Sequence, residues 1–461
     1  MEKISVDLLI LHGSVITMGP DNKVIEDGAV AIKGDTIKAV GPAKEISDKY
    51  LAPEIIDASH TVVLPGLVDT HFHTGQQFER GMLYHISKEM KLKEPVWQNY
   101  LITFEANLRD EDVYLSALFA YSNLLKNGTT CFADAGGPLP ESMAPAIEKT
   151  GIRGILARST LDLKEGIPLE MQDTVSGIAI KGENFHRQWN GKADGRIRVW
   201  MGMRQIMICS RELLACLKDL ADQLKTGIHI HLSEGTYEVD YAIEKSGLRP
   251  AEYLASIGFL GSNVHAAHSV LLSDKDLDLY QKYGVSVAHC PAAAFMYCGV
   301  ARVPEMLRRG IRVGLGTDGA LSSGGSLDLF RQMHISLYTM AATFGVPYRN
   351  PTPLLPDDLL RVATLGGAQA LSWDHEIGSL EVEKKADLIM LNCNDLDVLP
   401  SYDPIYMAAS NASGAQVKTV FVNGKIVVKD GVLVNVDEAE LKAKVKERAP
   451  KIIERFLERV Q

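Results

Sequence analysis

Apolar and polar positions along this chain change period several times, and the changes mark its parts. Residues 7–13, 28–35 and 36–41 are short β patterns separated by turn residues, and they read as small antiparallel strands. Residues 386–391 and 419–428 repeat that style near the other end, where Asn423-Gly424 between two β-branched runs signals a hairpin. Two such sets around a long middle predict one small β-sandwich domain built from both termini. Residues 438–460 carry a charged amphipathic helix pattern, read as a surface or oligomer-contact helix. The middle opens on an apolar run, 64–73, that starts with Pro65-Gly66 and closes on His71-Phe72-His73. Further strand patterns follow at 128–136, 151–160, 196–205, 226–234, 263–269, 284–291 and 311–318, each with enough chain behind it for a helix. The stripe Val113, Leu115, Leu118, Ala120, Tyr121 and Leu124 marks one such helix. Eight strand–helix units predict an α/β fold, a (β/α)8 TIM barrel with its functional groups at the C-terminal strand ends. The other fold with this alternation is a doubly wound open sheet, but no Gly-x-Gly-x-x-Gly follows a strand. The expected boundaries are 1–60 and 373–435 for the sandwich, 61–372 for the barrel and 436–461 for the terminal helix.

Composition narrows the picture without changing it. A length of 461 residues exceeds one ordinary domain, and a 46% apolar content suffices for a large core. A net charge of -10, with no basic stripe, argues against nucleic acid as a partner. Residues 1–7 lack the apolar core of a signal peptide and no apolar run reaches membrane-spanning length, so a cytoplasmic protein without a membrane partner is expected. Six cysteines are too sparse for a disulfide scaffold. Cys290 and Cys298 read as buried free thiols rather than a metal clip.

The chemistry gathers at the strand ends. Side chains alternate faces along a strand, so His71 and His73 point the same way. Taken alone they are half of a divalent-metal site or two ordinary histidines. The 226–234 strand ends in His229-Ile230-His231-Leu232-Ser233-Glu234, and 263–269 carries His265 and His268. The next two end in His289-Cys290-Pro291 and Gly316-Thr317-Asp318. A single core histidine satisfied by one backbone bond needs no function. Several converging on one barrel mouth are not explained that way.

In this order, His71-x-His73, His231-x-x-Glu234, Ala267-His268, His289-Cys290-Pro291 and Gly316-Thr317-Asp318 make the chain similar to the amidohydrolase superfamily. It resembles the branch of mononuclear-metal deaminases and triazine hydrolases, with chlorohydrolase-like, methylthioadenosine/S-adenosylhomocysteine and guanine deaminase-like members. The flanks 65–69, 378–388 and 422–425 agree. The resemblance implies that His71, His73, His231 and Asp318 ligate one divalent metal ion, Zn2+ or alternatively Fe2+. It implies that His268 and Asp318 take a proton from the attacking water. Glu234 protonates a ring or amidine nitrogen and then passes a proton to the leaving amine. The reaction so implied is hydrolytic deamination, with release of ammonia, of an amino-substituted nitrogen heterocycle of purine, pterin, pyrimidine or s-triazine type. The alternatives are loss of an alkylamine or halide from a triazine ring, and an inactive barrel serving as a scaffold. Retention of all six positions speaks against the scaffold. Binuclear relatives use a carboxylated lysine, commonly on the fourth strand, and 196–205 has none, so one metal is expected. A small-molecule substrate and a homo-oligomer are implied as well.

The same resemblance suggests substrate contacts. Gln76 matches a ring-binding glutamine, and Arg204 an arginine facing a substrate carbonyl. Trp97 is a residue to close over a planar ring, and Arg158 either meets a substrate carboxylate or forms a structural ion pair. His289 is expected above the metal and substrate. His229 and His265 match no functional position and read as packing, with a role behind the ligands as the other reading of His229. Where many relatives have Ser-Asn after the proline, this chain has Ala292-Ala293-Ala294-Phe295-Met296, a more apolar wall resembling the triazine branch. Residues 319–325 form a flexible loop, a candidate lid.

Overall fold

The computed structural model describes residues 3–88, 90–321, 325–350 and 352–460. The run that reads as a single strand is in fact two, Thr61–Pro65 and Leu67–Phe72, which belong to different sheets. The break falls at Gly66, where a Cβ would collide with the Thr130 side chain. Close approach is therefore what requires glycine there.

Eight strands close a barrel: β1 (Leu67–Phe72), β2 (Thr129–Asp134), β3 (Arg153–Arg158), β4 (Ile197–Met203), β5 (Ile228–Leu232), β6 (Val264–His268), β7 (Ser286–His289) and β8 (Val313–Leu315). The registers from β3 to β8 are parallel throughout. These strands are buried along almost their whole length, which is why they read as continuous apolar runs rather than alternating ones. Each strand pattern of the middle region thus has its strand, trimmed by a residue or more at the ends. The helix expected over 111–126 spans Asp110–Lys126, with Asp110, Glu111 and Asp112 in its first turn.

The terminal strands form a nine-stranded sheet in which Thr61–Pro65 pairs antiparallel with Leu388–Asn392, joining the two ends of the chain. Along Leu8–Ile16 the side chains alternate: Leu8 and Ile10 enter a core with Val63, Leu388 and Phe421, while Leu9 and Leu11 enter another with Ala43 and Ile46. Both faces are therefore covered. Asn423 and Gly424 sit at positive φ in the predicted hairpin between Val417–Val422 and Lys425–Lys429.

By internal contacts the chain divides into two units. One comprises Met1–Asp69, Ser122–Cys131 and Asp328–Val436, and the other Thr70–Tyr121, Phe132–Leu327 and Asp437–Gln461. The helix Glu438–Val460 thus belongs to the second unit, where Ile452 and Phe456 are buried and Phe456 meets Phe104 edge to face, centroids 5.5 Å apart. Among the described residues no helix is long and apolar enough to cross a membrane.

Candidate active site

All the groups singled out at the strand ends lie in the second unit. At the end of β1, the alternation of the strand turns His71 and His73 to the same side, ring centroids 5.1 Å apart. Asp134, at the end of β2, accepts the Thr74 and Gly136 amides at 3.0 and 2.9 Å and so fixes the chain just after His73. From β5, His231 brings its Nε2 within 3.3 Å of His73 Nε2. Past β8, Asp318 Oδ1 lies 3.3 Å from His71 Nε2 and 3.4 Å from His73 Nε2. Asp318 and His268 hold positive φ, 63° and 69°, a costly conformation for such residues that recurs here past β8 and at the end of β6, the two strands that flank β7.

The partners of each ring decide what it can bind. His231 Nδ1 donates to the Arg204 carbonyl at 2.9 Å, which turns its Nε2 lone pair toward His73. His71 Nδ1 lies 2.8 Å from His229 Nε2, so His229 backs a cluster histidine rather than merely packing. His265 binds Ser286 and the Thr70 carbonyl, as a structural histidine does. Burial pushes His71 down to about 3 despite Asp318 beside it, and holds His231 and His229 well below the ordinary histidine value. Asp318 is the reverse case: burial pushes it up, but hydrogen bonds from His71 and His73 more than offset this and hold it well below the carboxylate range. Neutral imidazoles and an ionised carboxylate are the state a divalent cation needs in its ligands.

The spacing fits such a cation. With zinc–ligand bonds of about 2.0–2.1 Å, the ligand atoms of a tetrahedron stand roughly 3.3–3.4 Å apart. The His71–Asp318, His73–Asp318 and His73–His231 separations fall at that value. His231, whose Nδ1 donates to the Arg204 carbonyl, presents its Nε2 lone pair to His73 Nε2 at 3.3 Å. Among the described residues, His71, His73 and Asp318 form one group able to hold a metal, and His71, His231 and His268 an overlapping one.

Glu234 stands beside the cluster, with Oε1 3.7 Å from His268 Nε2. Its other oxygen, Oε2, accepts from Tyr237 Oη at 2.7 Å and Gln205 Nε2 at 3.1 Å. Glu238 Oε2 accepts the Glu234 amide at 2.9 Å, and burial pushes this second carboxyl up to about 8. Sequence reasoning missed Tyr237, Gln205 and Glu238. Tyr237 and Glu238 follow Glu234 by three and four residues across the start of the helix Thr236–Ser246, and that spacing was the available signal.

The expected substrate contacts are distributed differently. Gln76 and Arg204 do come together, but through Glu105, which sequence reasoning passed over: Gln76 Nε2 donates to Oε1 at 2.8 Å and Arg204 Nη1 to Oε2 at 2.5 Å. Arg158 pairs with Glu141. Trp97 is half-buried, with its indole N–H unpartnered among the described residues. His289 is buried and pushed down to about 3 by burial and by His268. Ala292, Ala293 and Ala294 are buried behind it, whereas Phe295 and Met296 are exposed. Of the candidate lid, residues 322–324 lie outside the described residues.

Comparison with known proteins gives a consistent picture. The model of the amidohydrolase family matches residues 62–427. The chain is 35% identical over 447 residues to a 5'-deoxyadenosine deaminase of Methanobrevibacter smithii, covering 95% of this chain and 97% of that one. It is 34% identical over 451 residues to a 5-methylthioadenosine/S-adenosylhomocysteine deaminase of Caldanaerobacter subterraneus subsp. tengcongensis, covering 97% and 99%. Its fold matches the crystal structure of an adenosine deaminase from Xanthomonas campestris with bound zinc. The TM-score is 0.89 at 26% identity, over 98% of this chain and 99% of that one.

Proposed function

The chain belongs to the amidohydrolase family, and on that premise we propose that it deaminates a purine nucleoside of the adenosine type, with His71, His73, His231 and Asp318 holding one zinc ion. It is a hydrolase of C–N bonds in cyclic amidines; the nucleoside and the residue roles are the proposed part. The observation that carries the assignment is that the Asp318 carboxylate oxygen stands 3.3 and 3.4 Å from the His71 and His73 Nε2 atoms, with His231 Nε2 3.3 Å from that of His73. When bound, such a metal acidifies a water ligand from a pKa of 15.7 to about 7, roughly 12 kcal/mol toward hydroxide.

This chain's own residues supply the proton movements. The water oxygen bonds to C6 of the purine, and its proton passes to His268 or Asp318. Tyr237 and Gln205 both grip Glu234 Oε2, leaving Oε1, on the His268 side, to deliver a proton to N1. In the adduct the ionised Glu234 takes the hydroxyl proton and passes it to the exocyclic nitrogen, the C6–N bond breaks, ammonia leaves as C6 becomes a carbonyl, and the proton held by His268 or Asp318 returns to Glu234. His289, neutral through burial, and Trp97 are the side chains assigned to contact the base.

The test is ammonia release from 5'-deoxyadenosine, 5-methylthioadenosine and S-adenosylhomocysteine by zinc-loaded protein, beside an alkylamino-triazine. Inosine-type products from at least one nucleoside are expected. Release of alkylamine from the triazine, with every nucleoside untouched, overturns the nucleoside assignment.

A further inference from the structure

Glu105 is almost fully buried on the short helix Thr103–Ala106, remote in sequence from every strand end. Its two oxygens are divided between two donors: Oε1 takes Gln76, on the turn after His73, and Oε2 takes Arg204, just past β4. Each donor is tied to the histidine cluster at its other side. The Arg204 carbonyl accepts His231 Nδ1, the bond that aims the His231 lone pair. The Gln76 side-chain oxygen Oε1 packs on Gly319, next to Asp318, in the space a Cβ of that residue would need. One carboxylate thus links the chain segments that carry His73, His231 and Asp318.

The electrostatics single out Glu105 within its cluster. Glu79 is also fully buried, and neither of its oxygens finds a hydrogen-bond partner among the described residues. Burial, then the neighbouring Glu105, pushes Glu79 well above the carboxylate range, so it stays a neutral acid. Among the described residues it is Glu105 that pairs with Arg204. The Glu105 helix is itself held from behind: Phe456 packs on Phe104, and Asn107 Nδ2 donates to the Ile452 carbonyl at 3.1 Å.

We propose that Glu105 is a positioning residue for the metal site, a buried crossbar that sets the His73, His231 and Asp318 donors at ligand spacing through Gln76 and Arg204. The inference rests on those three side chains being metal ligands. It assigns Gln76 and Arg204 to holding the site together as well as to any contact with substrate.

The experiment is competitive zinc titration of the full-length protein against a chelator, beside KM and kcat for the nucleoside turned over. Wild-type protein that binds no divalent metal disproves the metal reading itself and leaves nothing for a crossbar to position. With wild type binding, Glu105→Gln is expected to weaken zinc about 10-fold or more, the range seen when groups behind metal ligands are removed. Glu79→Gln, which exchanges one neutral group for another, is expected to bind zinc as wild type does. Should Glu105→Gln not fold, the double variant Glu105→Gln/Arg204→Gln removes the charge pair together and is expected to show the same weakening. Unchanged zinc affinity in the folded Glu105 variant overturns the proposal. So does a higher KM with zinc affinity intact, which would make Glu105 a direct substrate contact.

Discussion

Two carboxyl pairs attach to the histidine cluster, and they are built to different ends. In the first, Glu234 is 21% exposed at its side chain and is held by two neutral donors, Tyr237 and Gln205. In the second, Glu105 is 1% exposed at its side chain and is held by a guanidinium and an amide. Behind each lies a second buried acid, Glu238 or Glu79, that burial pushes up. Neutral donors fix a carboxylate in space without adding charge. A buried guanidinium supplies a full opposite charge and strong directional bonds. The first arrangement suits a group that moves a proton, the second a group that must never move. The same residue type serves both ends because its neighbours differ.

The comparison is broken most severely at its moving half. Glu234→Gln is expected to cut kcat about 10²–10⁴-fold while metal content by mass spectrometry stays at wild-type level; near-normal rates would remove Glu234 from the mechanism. On the fixed half, Phe456→Ala takes away the ring behind the Glu105 helix and is expected to cost about 3–5 kcal/mol in denaturant unfolding. A loss well below 1 kcal/mol would show that the C-terminal helix does not support this region. Tyr237→Phe is a gentler probe, because it removes one of two donors to Glu234. It is expected to lower kcat about fivefold, the worth of roughly 1 kcal/mol, with zinc affinity unchanged. A shift in zinc affinity instead would place Tyr237 with the fixed half.

The smallest effect is expected from Glu79→Gln, and it should depend on pH. Glu79 is raised well above its unfolded value of 4.5, so between that value and its folded one the native state carries a proton that the unfolded state has lost. Wild-type stability therefore falls with rising pH through this window, and the glutamine variant is spared the fall. The two proteins should have similar melting temperatures near pH 5, with the variant gaining as pH rises to 8. A gap that stays constant from pH 5 to 8 would mean that folding does not raise Glu79.

The strand-end groups of the site were legible before folding is considered. A period of two carries His71 and His73 to one side of a strand end, and His231, His268 and Asp318 close other strands of a barrel whose mouth gathers strand ends. Glu234 follows its strand closely enough to share that mouth. The terminal sheet was legible for the same reason, since alternation and Asn423-Gly424 are local signals. The break at Gly66 was not, because the apolar run does not change character where it passes from one sheet to the next; nor was the short strand Glu54–Asp57 beside Leu8–Ile16.

The fixed half was not legible. Glu105 lies on a four-residue helix between larger elements, 29 positions from Gln76 and 99 from Arg204. No periodicity connects residues so far apart. Gln76 and Arg204 look from sequence like free donors at strand ends, and folding turns both onto one buried carboxylate. The C-terminal helix was recognisable as amphipathic, but the pattern does not name the surface its apolar side covers. Sequence by itself determined the strand-end chemistry, because backbone geometry alone orients neighbouring side chains. Only the tertiary structure decided which charges meet, because burial and distance, not order along the chain, set what a buried carboxylate can hold.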